Sequence, residues 1–69
     1  MEPMRLAALE YVIKSNGGAT KENFIEDHDP IGEQLWMYFC QKGWVHTLSG
    51  RVFITDIGKQ AFDAANTAK

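Results

Sequence analysis

The residues of this chain that could perform chemistry lie in its middle. The triplet Asp27-His28-Asp29 places three side chains of the metal-ligand type in a row, and Cys40 and His46 follow further along the chain. This spacing matches none of the Cys/His patterns that enclose a metal ion, so we interpret the triplet as a solvated acidic turn. We interpret Cys40 as a small helical side chain at the edge of the core.

The sequence contains no recognisable set of side chains for catalysis. No nucleophile, base and orienting group occur together, and 69 residues leave little space for a pocket that could hold them. Gly17-Gly18 lacks the lysine of a phosphate-binding loop and indicates the end of a helix. We therefore expect a binding protein and not an enzyme, with no cofactor, no metal ion and no small-molecule substrate.

The charged side chains between residues 21 and 51 bear on how well the chain could bind nucleic acid. The net charge is −2, and residues 22–33 contain five acids without a lysine or arginine. Three cations stand around this acidic segment: Lys21, Lys42 and Arg51. This balance predicts weak binding to nucleic acid, because nonspecific affinity comes mainly from cations that displace counterions from phosphates. The five acids are Glu22, Glu26, Asp27, Asp29 and Glu33.

The run LWMYF at residues 35–39 has two interpretations. A helix cannot bury five consecutive side chains, so if Leu35 and Phe39 point inward, some of the others point elsewhere. In the first interpretation, Trp36 packs under a hairpin and Tyr38 packs against the first helix. In the second, the run forms a partner-binding surface, since aromatic residues and methionine are enriched at interface cores. The side chains of that alternative surface are Glu33, Trp36, Met37 and Tyr38.

Three predicted helices precede a hairpin and position these side chains. Pro3 favours the first turn of a helix, and Asn16-Gly17-Gly18 ends it. Thr20 is a suitable N-cap for a short second helix that reaches residue 27. Asp29-Pro30 is typical of a helix start, so we expect a third helix with Asp as its N-cap, ending at Gly43.

The remaining residues predict a hairpin and a last helix. Residues 45–48 and 51–54 have the composition of strands, and Ser49-Gly50 between them suits a two-residue turn. Thr55 is the expected N-cap of a helix over residues 56–66. The core predicted from these elements contains Leu6, Leu9, Val12, Ile13, Phe24, Leu35, Phe39, Val45, Ile54 and Phe62.

Three segments together resemble a known family. KGWV at residues 42–45, GR at the hairpin turn and ITDIGKQAF at residues 54–62 are similar to the winged-helix domains of bacterial transcriptional regulators of the MarR and PadR kind. In those domains the recognition helix ends in a KGLV-like sequence, and the wing leads into an LTxxGxxxL-like helix start. The resemblance implies an α+β winged helix-turn-helix with its second helix at residues 20–27, its recognition helix at 30–42 and its wing at 45–55.

We expect a single domain over residues 1–69, with a core from about residue 4 to 65. The single cysteine permits no internal disulfide and agrees with a reducing cytoplasm. The N-terminus lacks a basic leader, and no apolar run approaches the length of a membrane span. The expected protein is therefore soluble and cytoplasmic, without a signal peptide and without a membrane partner.

Two functions stay open, and we favour the first. In the first, the protein is a small DNA-binding regulator or accessory factor that uses its third helix and wing, alone, as a homodimer or beside a basic partner. In the second, it is a protein–protein interaction module that uses the acidic and aromatic third helix. The residues expected to contact DNA are Lys21, Gln34, Gln41, Lys42 and Arg51.

Overall fold

Four helices and one β-hairpin make up the fold of the computed structural model, which describes residues 1–67. The predicted α+β class is confirmed, and the hairpin between the third and fourth helices gives a small winged-helix-like layout. None of the helices in this range is both long enough and apolar enough to cross a membrane. The elements are α1 (Pro3–Ser15), α2 (Lys21–Asp27), α3 (Gly32–Lys42), β1 (Val45–Leu48), β2 (Arg51–Ile54) and α4 (Asp56–Thr67).

Two predicted threonine caps fix the starts of α2 and α4. The Thr20 hydroxyl accepts a hydrogen bond from the Asn23 backbone N–H at 3.1 Å, and the Asn23 side chain accepts one from the Thr20 N–H at 3.2 Å. The Thr55 hydroxyl likewise accepts from the Gly58 N–H at 3.0 Å. These bonds satisfy backbone donors that have no partner within their own helix, so both predicted N-caps are confirmed.

The predicted start of α3 is wrong. Asp29-Pro30 lies in the connection between α2 and α3, where the Ile31 N–H donates to the His28 carbonyl at 3.0 Å. The helix begins only at Gly32. A Cβ atom at Gly32 would overlap the backbone of Ile25 on α2, so the first residue of α3 lies directly against α2. This contact is tertiary, and the capping pattern at Asp29-Pro30 cannot reveal it.

The hairpin has the predicted turn. Leu48 pairs with Arg51, and Ser49-Gly50 closes the turn with φ angles of 53° and 78°. Two positive φ angles in a two-residue loop match the right-handed twist of the strands on either side. Val45 and Ile54 form a pair at the other end of the hairpin, and both are buried in the core.

The loop between α1 and α2 pairs with β2, which the sequence analysis did not predict. The Gly17 N–H donates to the Val52 carbonyl at 2.8 Å, and the Val52 N–H donates to the Ala19 carbonyl at 2.9 Å. Thr20 and Arg51 form an antiparallel bridge beside these bonds. The hairpin, too small to be stable alone, is therefore attached to the helices through its second strand.

Most of the residues predicted to form the core are buried in the structure. Ile13 and Phe62 are half-buried and pack against the core from its edge, so their predicted place inside it is wrong. Ala8, Ala19 and Val52 are buried without having been predicted, because two are small and the third depends on the pairing of β2. The predicted residues that are buried are Leu6, Leu9, Val12, Phe24, Leu35, Phe39, Val45 and Ile54.

Candidate nucleic-acid interface

The solvent-exposed side of α3 presents polar side chains around one methionine. Met37 lies at its centre and is 62% exposed. Gln34 and Gln41 are exposed three residues before and four residues after it, so the three side chains follow one line along the helix. Glu33 and Cys40, also exposed, follow a parallel line on the other side of Met37. We call these five residues the α3 face.

Trp36 and Lys21 border the α3 face on the side of α2. The Trp36 ring packs edge-on against Phe24 at 5.7 Å, and the Lys21 Nζ lies 5.9 Å from the Trp36 ring centroid. The prediction that Trp36 packs under the hairpin is wrong, because the buried ring of Phe24 draws it toward α2. A groove of about 240 Å³ runs between the two helices here, lined by Lys21, Ile25, Glu33, Trp36 and Met37.

Tyr38 borders the α3 face on the side of α1. The Arg5 guanidinium lies 4.0 Å from the Tyr38 ring centroid, and the Lys42 Nζ lies 5.5 Å from it. The ring also packs edge-on against Trp44 at 5.6 Å. Tyr38 therefore packs against the first helix, as the first interpretation predicted, and it brings two cations from different helices together.

Arg51 lies next to the hairpin turn but folds back on the loop that follows α1. Its guanidinium donates to the Gly17 carbonyl at 3.3 Å. Leu48, which is 63% exposed, occupies the position opposite it in the hairpin. The bridge to Thr20 places the backbone of Arg51 beside the residue that precedes Lys21. These two predicted cations therefore share the N-terminal end of α2.

The acidic segment divides between different surfaces. The Asp27 carboxylate accepts a hydrogen bond from the Tyr11 hydroxyl at 2.6 Å, on the side of α1. This bond, followed by burial and by the charge of Asp27, raises the pKa of Tyr11 to about 12. Glu22 and Glu26 are exposed on the side of α2 opposite its buried phenylalanine. Glu33 is the acid of this segment that lies on the α3 face.

The acid–histidine–acid triplet does not converge on a common point. His28 Nδ1 lies 2.7 Å from the Phe24 carbonyl, and because a carbonyl only accepts, this nitrogen carries the proton. The imidazole packs on the rings of Phe24 at 4.5 Å and Tyr11 at 5.0 Å. Among residues 1–67, no three His, Cys, Asp or Glu side chains come close enough to hold a metal ion.

Cys40 is exposed on α3, so its predicted place at the edge of the core is wrong. Partial burial raises the pKa of its thiol, and the nearby positive charge of Lys21 lowers the pKa by a smaller amount. The raised pKa disfavours the thiolate, which is the form of cysteine that acts as a nucleophile.

Four cations on or near the borders of the α3 face form no ion pair with a carboxylate of residues 1–67: three lie on its ring-bearing borders, and Arg51 lies beside the start of α2. Within residues 1–67 the ion pair of the structure is that between Lys14 and Glu10 on α1, at 3.3 Å. Arg5 was not predicted to belong to this set, because its contact with Tyr38 joins residues far apart in the sequence and leaves no pattern there. The four cations are Arg5, Lys21, Lys42 and Arg51.

Comparison of the chain with protein-family models, with curated proteins and with solved structures gives no match. The α3 face and its two borders therefore carry the functional inference by their chemistry alone.

Proposed function

We propose that this protein is a small cytoplasmic DNA-binding regulator or accessory factor of the winged-helix kind, related in mode of action to the MarR and PadR regulators that its sequence resembles. It binds DNA by placing the α3 face in the major groove. The observation that carries this proposal is the arrangement of α3: two amide side chains stand in line between two borders whose cations form no ion pair within residues 1–67.

The two glutamines supply the chemistry for reading bases. A glutamine amide donates and accepts at once and can form a bidentate pair with N6 and N7 of adenine in the major groove. Gln34 and Gln41 lie two helical turns apart on the same side of α3, so they reach different base pairs. The 11 residues of α3 extend over about 16 Å, a length suited to a groove about 12 Å wide.

The cations supply attraction to phosphate. Lys21 and Arg51 at the start of α2, and Lys42 at the end of α3, have no carboxylate partner in the described part of the chain. Each phosphate that they neutralise releases counterions. Because the whole chain carries a net charge of −2, we expect weak binding by one copy. A homodimer, or a basic partner, would add the phosphate contacts that a single copy lacks.

A titration with duplex DNA at several salt concentrations tests this proposal. A pool of random-sequence duplexes suffices, because phosphate contacts are independent of sequence. We expect measurable binding at ~50 mM salt that weakens steeply as salt rises. Arg51→Ala should reduce the slope of log K against log salt by about one unit, while Lys59→Ala on α4 should leave it unchanged. Absence of binding to any duplex at ~50 mM salt contradicts the proposal.

A second function is supported by the groove between α2 and α3. Met37 stands 62% exposed beside Trp36 and Ile25, and aromatic residues and methionine are enriched at interface cores. The alternative is therefore a protein-interaction module that uses Glu33, Trp36, Met37 and Tyr38. In that case Met37→Ala should abolish association with the partner while the fold is kept, and Arg51→Ala should have no effect.

A further inference from the structure

We infer that Arg5 and Lys42, held on the ring of Tyr38, bind the sugar–phosphate backbone of one DNA strand beside the α3 face. This inference rests on the proposed function and adds to it a cation from α1, outside the predicted helix-turn-helix and wing. It also gives Tyr38, a residue of the alternative partner surface, a positioning role in DNA binding.

The geometry around Tyr38 brings the two positive charges together. The Arg5 guanidinium lies 4.0 Å from the Tyr38 ring centroid, and the Lys42 Nζ lies 5.5 Å from the same centroid. Both charges therefore lie beside one ring. The ring itself is half-buried and fixed edge-on by Phe39 at 6.3 Å and Trp44 at 5.6 Å. A cation over an aromatic face gains attraction without losing its charge, so both groups remain able to bind an anion.

The electrostatic surroundings favour a phosphate at this place. Neither Arg5 nor Lys42 forms an ion pair with any carboxylate of residues 1–67. Glu2 lines the same groove of about 400 Å³ as Arg5, but the two side chains are not within ion-pair distance of each other. Guanidinium groups bind phosphate oxygens through two parallel hydrogen bonds, which an ammonium group cannot provide.

The position of the cluster on α3 explains why the ligand is a nucleic-acid backbone. Gln34 lies one turn before Tyr38 and lines the groove together with Arg5. The α3 face is thus bordered by cations on two sides, by Lys21 over Trp36 and by Arg5 and Lys42 at Tyr38. The major groove is likewise bordered by a phosphate backbone on each side. A helix that enters it meets both strands with cations.

The test measures salt dependence on the random-sequence duplex pool. Arg5→Met removes the charge and keeps a long apolar side chain over Tyr38, so the fold should survive, which circular dichroism verifies. We expect the slope of log K against log salt to fall by about one unit for Arg5→Met. The slope should stay unchanged for Arg5→Lys, which keeps the charge, and for Lys59→Met, which removes a cation on α4.

A double-mutant cycle tests the role of the ring. Tyr38→Leu should weaken DNA binding, and its effect should be smaller when Arg5 is already Met, because the two act through one contact. The effects of Tyr38→Leu and Lys59→Met on DNA binding should be additive, because the two residues share no contact in this proposal. If the wild-type protein binds DNA and the Arg5→Met variant shows the same salt slope, the inference is overturned and the proposed function stands. A wild-type protein that binds no duplex overturns both.

Discussion

Phe39 anchors α3 in the core. Its ring is fully buried and lies 5.9 Å from that of Phe24 and 5.6 Å from that of Trp44. We expect Phe39→Ala to lower the free energy of unfolding by about 3–5 kcal/mol, which is close to the whole stability of a domain this small. Urea denaturation followed by tryptophan fluorescence measures this loss. Met37→Ala, on the exposed side, should change stability by less than about 0.5 kcal/mol.

A folded Phe39→Ala protein with an unchanged urea midpoint would contradict this assignment of the buried side of α3. Met37→Ala would then be expected to show the large loss, because the helix would have to be rotated about its axis.

Tyr11 provides a pH-dependent contact between α1 and α2. Its hydroxyl donates to Asp27, and this bond is the main reason that its pKa rises from 10.0 to about 12. Since the pKa is higher in the folded state, the bond stabilises the fold below pH 10, and its contribution is lost as the pH rises from 10 through about 12. The excess stability of wild type over Tyr11→Phe should therefore shrink across that interval.

Tyrosinate absorbance measures the same effect directly. The difference between the titrations of wild type and Tyr11→Phe isolates Tyr11, and Asp27→Asn should lower its pKa. A Tyr11 pKa that is unaffected by Asp27→Asn would show that the hydrogen bond is absent in solution.

The contact between α2 and α3 depends on the absence of a side chain at Gly32. In a helix, alanine is more favourable than glycine by up to about 1 kcal/mol, so Gly32→Ala would stabilise the protein if space allowed it. Because the added Cβ overlaps the backbone of Ile25, we expect a net loss of about 1–3 kcal/mol in chemical denaturation. Gly50→Ala is the matched control, since its Cβ meets nothing within 4 Å and the cost is limited to its positive φ. A Gly32→Ala protein more stable than wild type would show that the helices lie further apart.

The elements that were predicted correctly are those with a local signal. Thr20, Thr55 and Ser49-Gly50 each determine the backbone through bonds or φ angles within a few residues, so their effect can be read from the sequence. Asp29-Pro30 matches the residue preferences of a helix start, but the same two residues are also common in loops, and here they lie in one. The observed first residue of α3, Gly32, lies against the backbone of Ile25, and no local pattern contains this contact.

The candidate site was predicted in part for the same reason. The exposed glutamines of α3 follow from helical periodicity once Leu35 and Phe39 are placed inside. The cation from α1 does not, because a guanidinium over the ring of Tyr38 requires α1 and α3 to be packed together. Trp36 was assigned to the wrong neighbour because spacing gives the side of a helix on which a residue lies and not the element that it meets.

The charge of the molecule is distributed unevenly around its elements. Its net value is −2, yet three cations without carboxylate partners in the described part of the chain lie on the aromatic rings of α3. Glu22 and Glu26 are exposed on the side of α2 opposite the buried Phe24, and the Asp27 carboxylate accepts a hydrogen bond from Tyr11. A net charge therefore understates the positive potential that a phosphate backbone would meet near α3.

Glu33 is the acid that opposes this potential, because it is exposed on the α3 face. We expect Glu33→Gln to increase affinity for the random-sequence duplex pool at ~50 mM salt, since removing its charge removes repulsion of phosphate, and the gain should shrink as salt screens the interaction. Glu26→Gln removes an identical charge from the opposite side of α2 and should give a smaller gain. Equal gains from both variants would mean that only net charge matters. A gain from Glu26→Gln alone would show that DNA approaches α2 and not the α3 face.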